Sequence, residues 1–165
     1  MSERVAAVFG SSRTSPDDPD YHQAERLGRL LGEAGWTVAT GGHDGAMAAV
    51  SRGAREAGAH VVGVTMPGPQ GRSPNAWVAE ERPADDLFAR LRMLLDADAW
   101  IAVAWNLMQN AHVAPRPLIV VGTGWRTVLD SLGDALVVDA ADLAMVTAVP
   151  DAEAAMAALG PRIGA

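Results

Sequence analysis

The chain has 165 residues, room for one domain with a sizeable core and too few for two comfortable ones. Its 20 acidic and 13 basic residues, the latter all arginine, give a net charge of -7. That balance supports solubility and argues against nucleic-acid binding, because affinity for a phosphate backbone comes from clustered basic side chains. Cysteine is absent, which excludes disulfides and thiolate metal sites, and the apolar run Val5 to Phe9 is too short for a signal-peptide core or a membrane span. A cytoplasmic protein with no membrane partner is expected.

Short apolar or β-branched runs alternate along the chain with stretches of helical periodicity. Val5 to Phe9 reads as the first strand. Beyond a polar loop with Pro16 and Pro19, the residues Tyr21, Ala24, Leu27, Leu31 and Ala34 recur at helical spacing up to Gly35. Thr37 to Thr40 gives a second strand. Met47, Val50, Ala54 and Ala57 then form the inner face of a second helix stopped by Gly58, and His60 to Thr65 a third strand. Met66 to Pro83, rich in proline and glycine, reads as a long surface loop of the kind that often carries function. Leu87, Leu91, Leu94 and Leu95 mark a third helix, followed by strands Trp100 to Val103 and Leu118 to Val121. A helix around Trp125 to Leu132, a strand Ala135 to Val138 and a closing helix Asp151 to Leu159, capped by Asp151 and stopped by Gly160, complete the series. This alternation predicts an α/β fold: one Rossmann-like domain over residues 1–165, with a mostly parallel sheet and helices on both faces.

In such a sheet the loops at the strand C-termini line the ligand crevice. The first strand runs into Gly10, Ser11, Ser12 and Arg13, where glycine allows close backbone approach and two hydroxyls and nearby amides suit phosphate or ribose. The second runs into Gly41, Gly42, His43, Asp44 and Gly45 at the start of a helix, where free amides and the dipole favour an anion. The plainer reading of both is ordinary turn chemistry. The histidines show no pair at metal-ligand spacing, so neither a metal nor another cofactor is expected. Trp77, in the long loop, is a filler of core or interface, or alternatively a cover for a base.

The run Ala39-Thr40-Gly41-Gly42-His43-Asp44-Gly45-Ala46-Met47, continuing through Ser51 to Gly58 and on to Val61-Val62-Gly63-Val64, resembles the LOG (Lonely Guy) family, formerly annotated lysine-decarboxylase-like. With the Gly10-Ser11-Ser12 loop and the Leu94 to Val103 segment, the likeness extends to about Val121. The resemblance implies a dimeric nucleotide-binding domain that hydrolyses the N-glycosidic bond of a nucleoside 5′-monophosphate, releasing base and ribose 5-phosphate. It also implies a catalytic arginine on the helix before the fourth strand. Arg90 lies nearest that position and Arg92 is the alternative; a guanidinium there would clamp phosphate or hydroxyl groups bidentately.

The family's second glycine loop and its glutamate, Pro-Gly-Gly-x-Gly-Thr-x-x-Glu, have no counterpart. The strand ending Ile101-Ala102-Val103-Ala104 is followed at once by Trp105-Asn106-Leu107-Met108-Gln109, although a connection there needs about two to six residues. A break between Ala104 and Trp105 is therefore expected, with further loop residues belonging there. The alternative is a chain that has lost the loop and binds or senses nucleotides without catalysis, and a third reading is a dimeric interaction protein whose loop glycines are structural only. A nucleoside monophosphate or sugar phosphate is the expected ligand, and the apolar segments Leu87 to Leu95 and Trp105 to Met108 point to a homodimer.

Overall fold

A computed structural model describes residues 4–66, 73–102, 118–135 and 146–160. Seven strands form one sheet in the order β4-β3-β2-β1-β5-β6-β7, every neighbouring pair parallel. They are β1 (Val5–Phe9), β2 (Thr37–Thr40), β3 (Val61–Thr65), β4 (Glu80–Pro83), β5 (Ala99–Ala102), β6 (Leu118–Val121) and β7 (Val146–Val149). The helices are α1 (Pro19–Glu33), α2 (Ala46–Glu56), α3 (Leu87–Leu95), α4 (Trp125–Ala135) and α5 (Ala152–Leu159). The chain winds outward from β1 to β4, then returns to place β5 on the other side of β1. This reversal makes the C-terminal ends of β1 and β5 the topological switch point, where an open α/β sheet leaves its crevice.

Successive strand side chains face opposite layers, and the core divides accordingly. Ala6 and Val8 of β1, with Val38, Val61, Ile101 and Ile119, pack on one side against Leu27 and Leu31 of α1, Val50 of α2 and Ala155 of α5. Ala7, Ala39, Val62 and Val64 pack on the other side with Leu94 of α3. Helices α1 and α2 meet backbone to backbone. A methyl group on Gly28 would strike the Val50 carbonyl, and one on Gly53 the Glu25 carbonyl, so both glycines are fixed by the crossing despite their cost inside a helix. Asp86 and Asp151 cap α3 and α5, each accepting at 2.8 Å, from the amides of Ala89 and Ala154.

Three departures from the sequence reading have local causes. Glu80–Pro83, read as loop, is a parallel edge strand paired with β3. It lacks apolar alternation because it is largely exposed; His60 and Arg82 both bind Glu80, and Thr65 donates to Glu81 at 2.6 Å. Ala135, expected to open a strand, ends α4, and residues 136–138 lie outside the described residues. Val146–Val149, unread, pairs with β6 as the other edge. Among the described residues no helix is long and apolar enough to cross a membrane.

Candidate functional site

The loops that follow β1 and β2 lie side by side at the C-terminal edge of the sheet. The Ala46 amide, first in α2, donates to the Ser11 carbonyl at 2.9 Å, joining the two loops directly. Glycine makes this fit possible. A Cβ on Gly10 would lie 2.7 Å from Cβ of Ala46, and one on Gly45, whose φ is +69°, would run into the backbone of Ser11 and Ser12. Gly42, at φ +75°, sits over β3, where a Cβ would come 2.9 Å from Cγ2 of Thr65 and 3.3 Å from Cα of Gly63. A Cβ on Gly41 would collide with the Arg90 guanidinium. Each glycine expected to admit a ligand is thus first required by a protein neighbour, and Gly10, Gly41, Gly42 and Gly45 are all buried.

Arg90 reaches this cluster from α3. Its Nε donates to the Val64 carbonyl at 2.8 Å and its Nη2 to the Gly41 carbonyl at 3.0 Å, bridging the end of β3 to the loop after β2. Burial pulls its pKa below the ordinary arginine value, yet a guanidinium in this setting keeps its charge. Among the described residues no carboxylate forms an ion pair with it. A guanidinium has five N–H groups, so two bonds to carbonyls leave donor capacity over. Arg92, the alternative, is exposed on the same helix.

The loop after β2 is held from inside by Thr40, whose buried Oγ1 accepts from the Gly42 amide at 3.0 Å and lies 3.5 Å from Oγ of buried Ser51. Asn75 holds it from the side of β3: its amide donates to the Gly42 carbonyl at 2.8 Å and its Nδ2 to the His43 carbonyl at 3.0 Å. At the mouth, Ser12, Arg13 and Asp44 are exposed, and Ser11 Oγ accepts from the Arg13 amide at 3.1 Å. The first i to i−4 bond of α2 runs from Ala49 to Gly45, leaving the amides of Met47 and Ala48 without a helical partner. The centroid of the Trp77 ring lies 5.8 Å from the Arg52 guanidinium of α2.

The structure brings together both loops and Arg90 as named from the sequence; Thr65 and Asn75, which also pack or hydrogen-bond there, were not named. Asn75 sits in a proline-rich stretch where asparagine signals only a turn. No three histidine, aspartate or glutamate side chains converge as metal ligands among the described residues. Val103 and the Ala104–Trp105 joint lie outside those residues, as does the expected apolar segment Trp105 to Met108.

Residues 3–79 match the model of the SLOG cluster4 family. That stretch contains both loops and the whole run from Ala39 to Val64 that resembles the LOG family, but the match is to cluster4 rather than to LOG itself. No curated protein matches the chain. Among solved structures it is similar to the molybdenum cofactor carrier protein of Chlamydomonas reinhardtii, with 24% identity over 96% of both chains and a TM-score of 0.74. The molybdenum cofactor binding protein of Rippkaea orientalis gives 22% identity over 95% of both chains and a TM-score of 0.73. DNA processing protein A of Helicobacter pylori, with 14% identity over 94% of this chain and 80% of that one, gives 0.58. These likenesses establish the α/β Rossmann-like fold. The last also corrects the exclusion of a nucleic-acid partner: a protein that binds single-stranded DNA shares this fold, so the net charge of the chain does not by itself exclude such a partner.

Proposed function

We propose that the chain binds a phosphate-bearing small molecule of the nucleotide class at the C-terminal edge of β1 and β2. The observation that carries this reading is the convergence on one pair of loops of a partly buried arginine with donors to spare and of the Met47 and Ala48 amides, which have no helical partner at the start of α2. Ser12 and Arg13 at the mouth suit the sugar or phosphate of such a ligand. Two structural neighbours of nearly equal length carry or bind the molybdenum cofactor, which favours a binding or carrier role.

A second reading is LOG-like phosphoribohydrolase activity on AMP or N6-substituted AMP, favoured by the Ala39 to Val64 pattern and by the reach of Arg90 to Gly41. Arg90 would then orient the reacting end of the nucleotide. Exposed Leu87, Phe88 and Met93 on α3 support a homodimer on either reading. Titration calorimetry with AMP, the molybdenum cofactor and a single-stranded oligonucleotide, followed by chromatography for released adenine, tests these readings. Binding of AMP or the cofactor without adenine release supports the first, adenine release the second, and oligonucleotide binding alone would replace both.

A further inference from the structure

We infer that a cleft at the N-terminal edge of the sheet, at the opposite end from the crevice, is a second small-molecule site that takes a free α-amino acid with an apolar side chain. The cleft has a volume of about 390 Å3, within the ordinary range for such sites, and is lined by Arg4, Glu33, Ala34, Trp36, Met156 and Gly160. Three parts of the fold meet there: Arg4 and Trp36 lead into β1 and β2, Glu33 closes α1, and Met156 and Gly160 belong to the end of α5. Trp36 is part of the core and only 6% exposed, so it gives the cleft a fixed apolar floor, and Met156 packs against the same core. The Thr37 amide donates to the Arg4 carbonyl at 2.9 Å, which ties the two strand starts together, and an ion pair between Arg26 and Glu153 ties α1 to α5.

The charges of the cleft decide what fits it. The Arg4 guanidinium carbon lies 4.2 Å from the centre of the Trp36 ring, a cation–π contact that holds the group in place and spends none of its five N–H donors on an oxygen. Glu33 lines the same cleft with the opposite charge. Among the described residues neither side chain forms an ion pair or hydrogen bond, with the other or with any third group. Glu33 also stands at the C-terminal end of α1, and α5 ends at the cleft as well; neither helix has a basic residue in its last turn, so both negative dipole ends are left without one. A simple anion would meet Glu33 and two helix C-termini, and a simple cation would meet Arg4. A zwitterion satisfies both. Its carboxylate takes the guanidinium fork of Arg4, its ammonium lies by Glu33 and the end of α1, and its apolar side chain rests against Trp36 and the adaptable Met156.

The test uses L-leucine, titrated into the full chain by calorimetry and by 1H–15N spectra. It should bind and shift the indole N–H signal of Trp36, leaving the Gly42 amide of the crevice unmoved. Isocaproate, which lacks the ammonium, and isoamylamine, which lacks the carboxylate, should each bind at least about tenfold more weakly, the worth of one hydrogen bond to a charged group. Arg4→Gln and Glu33→Gln should each weaken L-leucine by a similar factor. Glu33 is exposed and unpaired, so its variant keeps the fold and decides by itself should Arg4→Gln not fold. Absence of L-leucine binding up to about 10 mM would overturn the inference. So would a shift at Gly42 in place of Trp36, isocaproate or isoamylamine binding as tightly as L-leucine, or unchanged L-leucine affinity in Glu33→Gln.

Discussion

Replacing Gly42 with alanine should destabilise the protein more than replacing Gly58, although both glycines have positive φ, +75° and +85°. Holding alanine in the left-handed region costs about 1–2 kcal/mol at either position. Any gain from a less flexible unfolded chain is common to both variants and cancels. At Gly58, just beyond α2, an added Cβ meets nothing within 4 Å, so backbone strain is the whole cost. At Gly42 the same methyl stands 2.9 Å from Thr65 Cγ2 and 3.3 Å from Gly63 Cα. Thr65 is buried at the end of β3 and hydrogen-bonded to Glu81, and the Gly63 contact is backbone, so neither yields cheaply. Overpacking of this kind adds about 1–3 kcal/mol. For a chain of this size a difference of about 2 kcal/mol separates the two melting temperatures by roughly 4–8 °C. Scanning calorimetry of Gly42→Ala and Gly58→Ala at one pH measures it. Equal losses would show that the loop after β2 does not rest on β3 as described, and the geometry assigned to the crevice would fall with it.

Arg90→Lys should weaken AMP binding by about tenfold, since one ammonium cannot reproduce the fork that spans the Val64 and Gly41 carbonyls; unchanged affinity by calorimetry would remove Arg90 from the site. Hydrogen bonds from Arg82 and His60 lower the Glu80 pKa from 4.5 to about 2. Because the folded value is the lower one, that carboxylate's contribution is complete above the unfolded pKa and is lost as pH falls toward about 2. The urea midpoint should thus drop more between about pH 5 and pH 3 in the wild type than in Glu80→Gln, and parallel drops would refute it. Asp86→Ala removes the α3 cap and should cost about 1 kcal/mol by urea unfolding; no loss would mean that the cap is dispensable. Sedimentation at micromolar concentration should show a dimer that Phe88→Glu disrupts, Phe88 being 77% exposed on α3; a wild-type monomer of 17.2 kDa would end the dimer reading.

The central elements were legible in the sequence because burial leaves a period in it. β1, β2 and β3 are apolar runs covered on both faces, and α1 and α2 carry their buried residues at helical spacing. β4 left no such trace. Its sequence, Glu80-Glu81-Arg82-Pro83, is that of an exposed edge, stabilised by polar contacts to His60 and Thr65 from β3 and its approach, and side-chain pairs distant in sequence leave no period to read. Pro83 pairs at the last position of that edge, where a missing amide costs least. β7, Val-Thr-Ala-Val, is short and mostly uncovered, and short runs of that kind do not separate from loop by pattern alone.

The crevice shows a subtler limit. A glycine in a βα loop announces that something comes close, but not what. In Gly10, Gly41, Gly42 and Gly45 the close neighbour is in each case protein: Ala46, Arg90, Thr65 with Gly63, and the backbone of Ser11 and Ser12. These contacts bring together residues up to 49 positions apart, as in the bond from Arg90 to Gly41, which no local spacing encodes. If the loops bind as proposed, the glycines build the site without forming its contact surface. On the proposed binding reading, selectivity comes from what they leave exposed: the hydroxyl of Ser12, the charge of Arg13 and the remaining donors of Arg90. A ligand is then chosen by how its phosphate and hydroxyl groups match those donors, so sequences that share the glycine pattern can hold different molecules, and the pattern alone identifies the scaffold rather than the ligand.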